Sequence, residues 1–164
     1  GIVIGSTTAI VDDPTLVPLP HPDFMPARVI LDRRGRLADH QQLRLLNDGL
    51  APTWVFTACA TLADQLAGTN VQVVYLADCS VIKVVETLAK QGVQSLYVEG
   101  GPTIHAAFAA AGLVEEVISY LSPQMLGTMG VPAFTPPVPW SFADPQVEIL
   151  GNNVRIAERK RQDV

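Results

Sequence analysis

The sequence predicts a single α/β domain, a layered sandwich built on a mixed, mostly parallel sheet. Three observations lead there. Through the centre of the chain, short apolar runs alternate with segments of helical spacing, the order that a parallel sheet with crossover helices requires. Near the end, VEILG-NN-VRIAERK (147–160) reads as a closing hairpin whose turn is built on Gly151, Asn152 and Asn153, which adds antiparallel strands at one sheet edge. Finally, 164 residues with 48% apolar and 16% charged side chains suffice for one well-buried core.

GIVIG (1–5) is a β-branched run with no turn or cap before it, and Ser6 or Thr7 is placed to cap a short helix that Pro14 stops. Four prolines make VPLPHPDFMP (17–26) an extended loop. ARVILD (27–32) and TWVFTA (53–58) read as strands. TLADQLAG has helical spacing and ends on Gly68, and VQVVYL (71–76) returns to a strand pattern. In SVIKVVETLAKQG (80–92) Ser80 caps a helix, Val81, Val84, Val85 and Leu88 form its apolar stripe, and Gly92 ends it. SLYVEG (95–100) is a strand, GPTIHAAFAAAG (101–112) a helix, and VEEVISYLSP (114–123) a strand. A proline-rich excursion, PAFTPPVPWSFADP (132–145), precedes the hairpin.

Composition excludes several classes. A net charge of −5 argues against a general nucleic-acid binder. The apolar runs fall far short of the roughly 20 residues of a membrane helix. No signal-peptide pattern opens these residues, so cytoplasm is the expected compartment. His21, His40 and His105 are too scattered for sequence-local metal ligands, and no metal is expected. Cys59 and Cys79 show no CxxC spacing; two buried free thiols are preferred over a disulfide. Basic residues gather at Arg28, Arg33, Arg34, Arg36 and Arg44, and again at Arg155, Arg159, Lys160 and Arg161. Each group is either a solvated rim or a pocket for a small multiply charged anion.

The chemistry concentrates in YVEGGPTIHAAF (97–108), where an acid and two glycines end a strand and a slim helix follows. Ligands of parallel sheets sit at the carboxyl ends of strands. Gly100-Gly101 is either a tight turn that needs no side chain or a cradle where backbone meets phosphate. In the second reading the helix N–H groups, with Pro102 in the first turn and the Thr103 hydroxyl, receive the phosphate oxygens. Glu99 is costly to bury without a partner, and sugar hydroxyls are an economical one. Asp12-Asp13 is either helix-end turn chemistry before Pro14 or a functional acid pair, and both readings stay open.

GSTTAIVDDPTL (5–16), RVILDRRGRL (28–37), LYVEGGPTIHAAFAAAGLVEEV (96–117) and LSPQMLG (121–127) occur in an order and spacing that resembles the reductase domain of the bifunctional riboflavin-biosynthesis deaminase/reductase. The resemblance runs from Gly1 to about Lys160, and it implies a dihydrofolate-reductase-like three-layer α/β/α fold over a single reductase-like domain, 1–164. It implies an NADPH-dependent enzyme that reduces the ribosyl group of 5-amino-6-(5-phosphoribosylamino)uracil to a ribityl chain, hydride reaching C1′ of the ring-opened imine. A homodimer is implied as well. Carried over by position, Thr8, Asp12, Arg33, Gly100, Gly101, Pro102, Thr103, Ile104, His105, Ala106 and Ala107 are implied cofactor contacts. Arg33 is suited to a 2′-phosphate, with Arg34 and Arg36 assisting. Leu16 and Glu99 are implied substrate contacts.

Three departures from that family pattern shape the expectation. The family's reductase domain opens with a further strand and loop, preceded in bifunctional members by a zinc-dependent deaminase domain, and neither is found in residues 1–164. Leu19 stands where the family carries a substrate-contacting Arg, with His21 or a neighbouring Arg as the substitute charge. The terminal turn reads Gly151-Asn152-Asn153 where Gly-x-Asp is common. Two alternatives to the uracil reductase follow: a truncated or degenerate relative that keeps the fold and dinucleotide binding without turnover, and a reductase of the related 2,5-diamino-pyrimidinone.

Overall fold

Two rows of apolar side chains fix the architecture. In a computed structural model, which describes residues 1–18, 25–134 and 143–159, strands β1 (Ile2–Gly5), β2 (Arg28–Leu31), β3 (Thr53–Thr57), β4 (Gln72–Tyr75) and β5 (Tyr97–Val98) form an all-parallel sheet in the order β4-β3-β2-β1-β5. Ile4, Ile30 and Val55 align across it and are fully buried. Val3, Val29 and Phe56 are equally buried on the opposite face. Strands apolar on both faces need a layer on each. Ala9 from α1 (Ser6–Asp12), Leu45 and Leu46 from α2 (Arg44–Asn47) and Leu62 from α3 (Leu62–Gln65) cover the first face. Val84 and Leu88 from α4 (Val81–Lys90) and Phe108 from α5 (Pro102–Ala110) cover the second. The result is the three-layer α/β/α sandwich that the family resemblance implies.

Local departures have local causes. The α1 N-cap is Gly5, with no side-chain cap; the hydroxyls of Ser6 and Thr7 accept hydrogen bonds from Arg36 instead. Ser80 does cap α4, its Oγ accepting from the Lys83 amide at 3.5 Å. The expected strand 95–100 shrinks to Tyr97–Val98. The hairpin strands β7 (Ala143–Leu150) and β8 (Asn153–Arg159) do not join the edge of the parallel sheet. With β6 (Glu116–Leu121) they make a second sheet, β6-β8-β7, in which β6 and β8 share a six-residue antiparallel ladder from Glu116↔Arg159 to Leu121↔Val154, and the other edge of β6 meets no strand among the described residues. Asn153 already pairs with Leu150, which leaves a two-residue turn of Gly151 and Asn152. Pro145 lies in edge strand β7, where the pairing shifts between Ala143 and Gln146, a bulge position that tolerates a residue without an N–H.

One buried ion pair ties the foot of the sheet together. Arg28, at the start of β2, is completely buried, and all five of its N–H donors are used. Nε donates to Thr53 Oγ1 at 2.8 Å, Nη1 to Asp48 Oδ2 at 2.8 Å and to the Thr15 carbonyl at 3.0 Å, and Nη2 to Asp48 Oδ1 at 2.7 Å and to the Ala51 carbonyl at 3.1 Å. Arg28 therefore belongs to neither a solvated rim nor an anion pocket, because its charge is neutralised inside the fold.

The hydrogen bonds from Arg28 hold the Asp48 carboxyl below the usual carboxylate range, against the opposing effect of its own burial. A carboxyl depressed in the folded state stabilises the fold above its unfolded pKa of about 4, and that stability is lost as pH falls through the folded value. Melts followed from pH 7 to pH 3 should show wild-type stability falling below about pH 4. Asp48→Asn should begin roughly 3 kcal/mol lower at neutral pH, because Arg28 is left without its counter-charge, and should show a shallower acid slope.

Candidate functional site

The sheet order reverses direction between β1 and β5. From β1 the chain steps outward through β2 and β3 to β4, then returns to place β5 on the other side of β1. Such a switch point opens a crevice beyond the strand ends, because the helices leaving the two strands pass to opposite faces. Here α1 leaves β1 toward one face and α5 follows β5 on the other.

The glycines at this point serve different ends. A Cβ on Gly100 would meet Cβ and Cγ2 of Ile104 at 2.6 Å, and a Cβ on Gly5 would meet Ile104 Cδ1 at 2.6 Å. Ile104 therefore leans over the ends of both strands, and Gly100 is bare for packing. At Gly101, the N-cap of α5, an added Cβ would meet nothing within 4 Å. Pro102 fills the first helical position, no side chain caps the helix, and the amides of Gly101 and Thr103 donate to no acceptor among the described residues. Open space, two free amides and the positive end of a nine-residue helix suit an anionic group such as a dinucleotide phosphate.

On α1, Thr8 and Asp12 lie four residues apart on one face, Thr8 half-buried and Asp12 exposed. The acid pair divides its labour. Asp13 does the helix-end work: it adopts a left-handed conformation, its amide donates to the Ala9 carbonyl, and its carboxylate accepts from the Arg44 amide at 2.7 Å and from Arg44 Nε at 3.2 Å. Asp12 makes no hydrogen bond or ion pair among the described residues and remains available to a ligand. Leu16 follows at the foot of α1, half-buried against the core.

At the end of β2 the buried Asp32 builds a turn that sequence reasoning missed. Its carboxylate accepts from the amides of Arg36 at 3.0 Å and Leu37 at 2.9 Å. Gly35 completes the turn at φ 71°, where a Cβ would strike Cys59 at 2.8 Å. The signal was present as an acid closing an apolar strand ahead of a glycine. This turn sorts the arginines. Arg36 Nη2 donates to the hydroxyls of Ser6 and Thr7, which ties this guanidinium to the start of α1. The Arg33 and Arg34 side chains are exposed and make no hydrogen bond or ion pair among the described residues, while the Arg33 carbonyl accepts from the Ala58 amide at 3.2 Å. Arg33 lies close enough to Cys79 for its charge to be felt there, although burial still pushes that thiol up. Both cysteines are free.

Glu99 is exposed rather than buried, so no desolvation cost obliges it to take a partner. The reason lies in β5, whose outer edge carries no strand among the described residues. The Glu99 amide still donates to the Val3 carbonyl at 2.9 Å, which fixes the backbone beside the crevice. The His105 ring packs against Phe134, centroids 5.8 Å apart, with Nδ1 3.2 Å from the Ala133 carbonyl. Ala106 is buried and Ala107 exposed on α5. Leu19, His21, Lys160 and Arg161 lie outside the described residues. Arg155 and Arg159 face Glu148 at 3.7 Å and Glu116 at 3.5 Å. Among the described residues no group of three or more His, Cys, Asp or Glu could hold a metal ion, and no helix is long and apolar enough to cross a membrane.

Layer order, switch point and glycine turn define a domain of the dihydrofolate-reductase-like class. More narrowly, the chain belongs to the RibD C-terminal domain family, which it matches over residues 1–154. It is 36% identical to the riboflavin biosynthesis protein RibD of Bacillus amyloliquefaciens over 132 residues, 77% of this chain and 35% of that protein. It is 30% identical to the 2,5-diamino-6-ribosylamino-4(3H)-pyrimidinone 5′-phosphate reductase of Methanothermobacter thermautotrophicus over 135 residues, 77% of this chain and 60% of that protein. A solved structure, the diaminohydroxyphosphoribosylaminopyrimidine deaminase/5-amino-6-(5-phosphoribosylamino)uracil reductase of Thermotoga maritima, superposes with a TM-score of 0.79 at 26% identity, over 98% of this chain and 45% of that one. The chain thus spans about a third to three fifths of the length of these relatives.

The two glycines should separate on substitution. Gly100→Ala should cost about 1–3 kcal/mol, since the clash is with the branched root of Ile104 rather than a mobile tip. Gly101→Ala should melt within about 1 °C of wild type, because its φ of −71° and open surroundings accept a methyl group. Thermal melts of the two variants provide the comparison.

Proposed function

We propose that this domain is an NADPH-dependent reductase of riboflavin biosynthesis, reducing 5-amino-6-(5-phosphoribosylamino)uracil to its ribitylamino product. The observation that carries this reading is the α5 N-terminus at the β1/β5 switch point, with two free amides and open space beside Gly101, in a chain of the RibD C-terminal domain family. When bound, the cofactor supplies the hydride that reaches the sugar C1′. The residues present fit it: Gly101, Pro102, Thr103 and the α5 turn through Ala107 hold its phosphates, and Thr8 and Asp12 face them from α1. Arg33, whose side chain has no partner among the described residues, takes the 2′-phosphate. Glu99 accepts hydroxyls of the substrate and Leu16 packs against it. The protein's share is orientation and charge.

The 2,5-diamino-pyrimidinone is the second substrate reading, favoured by the 30% identity to a reductase of that compound. The assembly we infer is a cytoplasmic homodimer, supported by an apolar surface at Val147 (64% exposed), Ile149 (78%), Met125 (94%) and Leu126 (69%). An opening strand, expected from the resemblance, is proposed to pair between β5 and β6. Both present edges without strand partners among the described residues, and Tyr97 lies within electrostatic reach of Tyr120 and Arg155 across that interval.

The test uses the full-length natural protein. Fluorescence titration should show NADPH binding at least tenfold tighter than NADH, with Arg33→Ala removing the preference and leaving NADH affinity unchanged. Gly101→Ala should weaken both dinucleotides on the order of tenfold, the scale of one lost phosphate hydrogen bond. Turnover of the uracil compound in preference to the diaminopyrimidinone, read at the nicotinamide absorbance, decides the substrate. NADPH binding without turnover of either compound refutes the reductase reading in favour of the degenerate relative.

A further inference from the structure

Only two non-glycine residues among those described have positive φ, Asp13 at 39° and Leu16 at 51°. Both lie in the short loop that leaves α1. A left-handed Leu is unfavourable on its own, so contacts around it must impose the conformation. Two arginines from elsewhere in the chain supply them. Arg44 binds Asp13 through its backbone amide, its Nε and its Nη2, the last to the Asp13 carbonyl. Arg28 binds the next peptide but one, its Nη1 donating to the Thr15 carbonyl at 3.0 Å.

These two grips differ in kind. The Arg44–Asp13 pair is exposed on both sides, so solvent competes with it. Arg28 is fully buried, and its other four donors are committed to Asp48, Ala51 and Thr53. The guanidinium plane cannot turn without breaking bonds to the segment that leads into β3. Its fifth donor therefore points at a fixed place, and the Thr15 carbonyl is held there. The Thr15–Leu16 peptide carries that carbonyl, so its orientation sets where the Leu16 side chain goes.

We propose that Arg28, braced by Asp48, is a positioning residue for substrate: it locks the Thr15–Leu16 peptide in the orientation that presents Leu16 to the pyrimidine compound. The inference rests on the reading of Leu16 as a substrate contact. It assigns no contact between Arg28 and substrate, and it leaves the cofactor wall formed by α5 untouched.

The experiment compares three variants in the full-length protein. Arg28→Lys supplies three donors instead of five and cannot keep both the Asp48 fork and the Thr15 carbonyl. It should raise KM for the substrate about tenfold, leave the NADPH dissociation constant within about twofold, and accelerate amide hydrogen exchange at Leu16 and Val17. Thr53→Val removes the Nε acceptor but not the Thr15 contact; it should lower the melting temperature with substrate KM unchanged. Leu16→Ala tests the underlying reading and should raise KM with normal exchange at Val17. Should Arg28→Lys not fold, Asp48→Asn, which loosens the brace, carries the same expectation.

The inference is overturned if Arg28→Lys and Thr53→Val raise KM together in proportion to their loss of melting temperature. It is also overturned if Arg28→Lys leaves exchange at Leu16 as in wild type. If Leu16→Ala leaves KM unchanged while Arg28→Lys still speeds exchange, the substrate reading falls and takes the catalytic half of the inference with it.

Discussion

Burial on both faces of β1 is the constraint from which the rest follows. Val3 and Ile4 are adjacent residues pointing to opposite sides, and both are fully buried. One strand therefore demands two helical layers, and the sheet must extend on either side of it. Once β2 lies on one flank and β5 on the other, α1 and α5 leave neighbouring strand ends toward opposite faces. The crevice between them is the geometric residue of satisfying Val3 and Ile4 together. Hydrophobic packing thus places the chemistry without using a single functional side chain to do so.

How much of this was legible in the sequence depends on the range of the interaction involved. Period-two apolar runs and helical stripes report local geometry, and the elements they mark at β1, β2, β3, β4 and α4 appear within a residue or two of expectation. The strand 95–100 was over-read because an apolar run does not say whether a neighbour is present on its outer edge. The fate of the hairpin was misplaced for a related reason. An alternating pattern does not say which edge meets which partner, and the six-residue match of β6 to β8 is invisible until both are aligned.

The candidate site shows the same division. The glycine turn at Gly101 and the helix that follows it were readable, because a strand-end glycine pair before a proline is a local feature, whereas Thr8 and Asp12 came only from the family resemblance. The arginines were not. A cluster of five in sequence resolves into a buried brace, an exposed clasp on Asp13, a tie to Ser6 and Thr7, and two side chains left for solvent or ligand. Charge density along the chain reports none of this. What separates Arg28 from Arg33 is that the first opens an apolar strand and the second follows Asp32 into a turn. Glu99 moved the other way, from a supposedly buried acid to an exposed one, because the edge beside it is open.

Ile104 rests on Gly5 and Gly100 at once, although 94 positions separate the first of these from the second in sequence. The fitness of each residue is therefore conditional on the other two. A larger residue at position 5 is tolerated once the side chain at 104 loses its Cδ1 tip, whereas one at position 100 meets the Cβ at 104 as well and also needs the backbone to move. Drift at this corner of the fold should proceed in pairs and triplets rather than singly, so that the three positions would covary among homologues even though only Ile104 lies in α5.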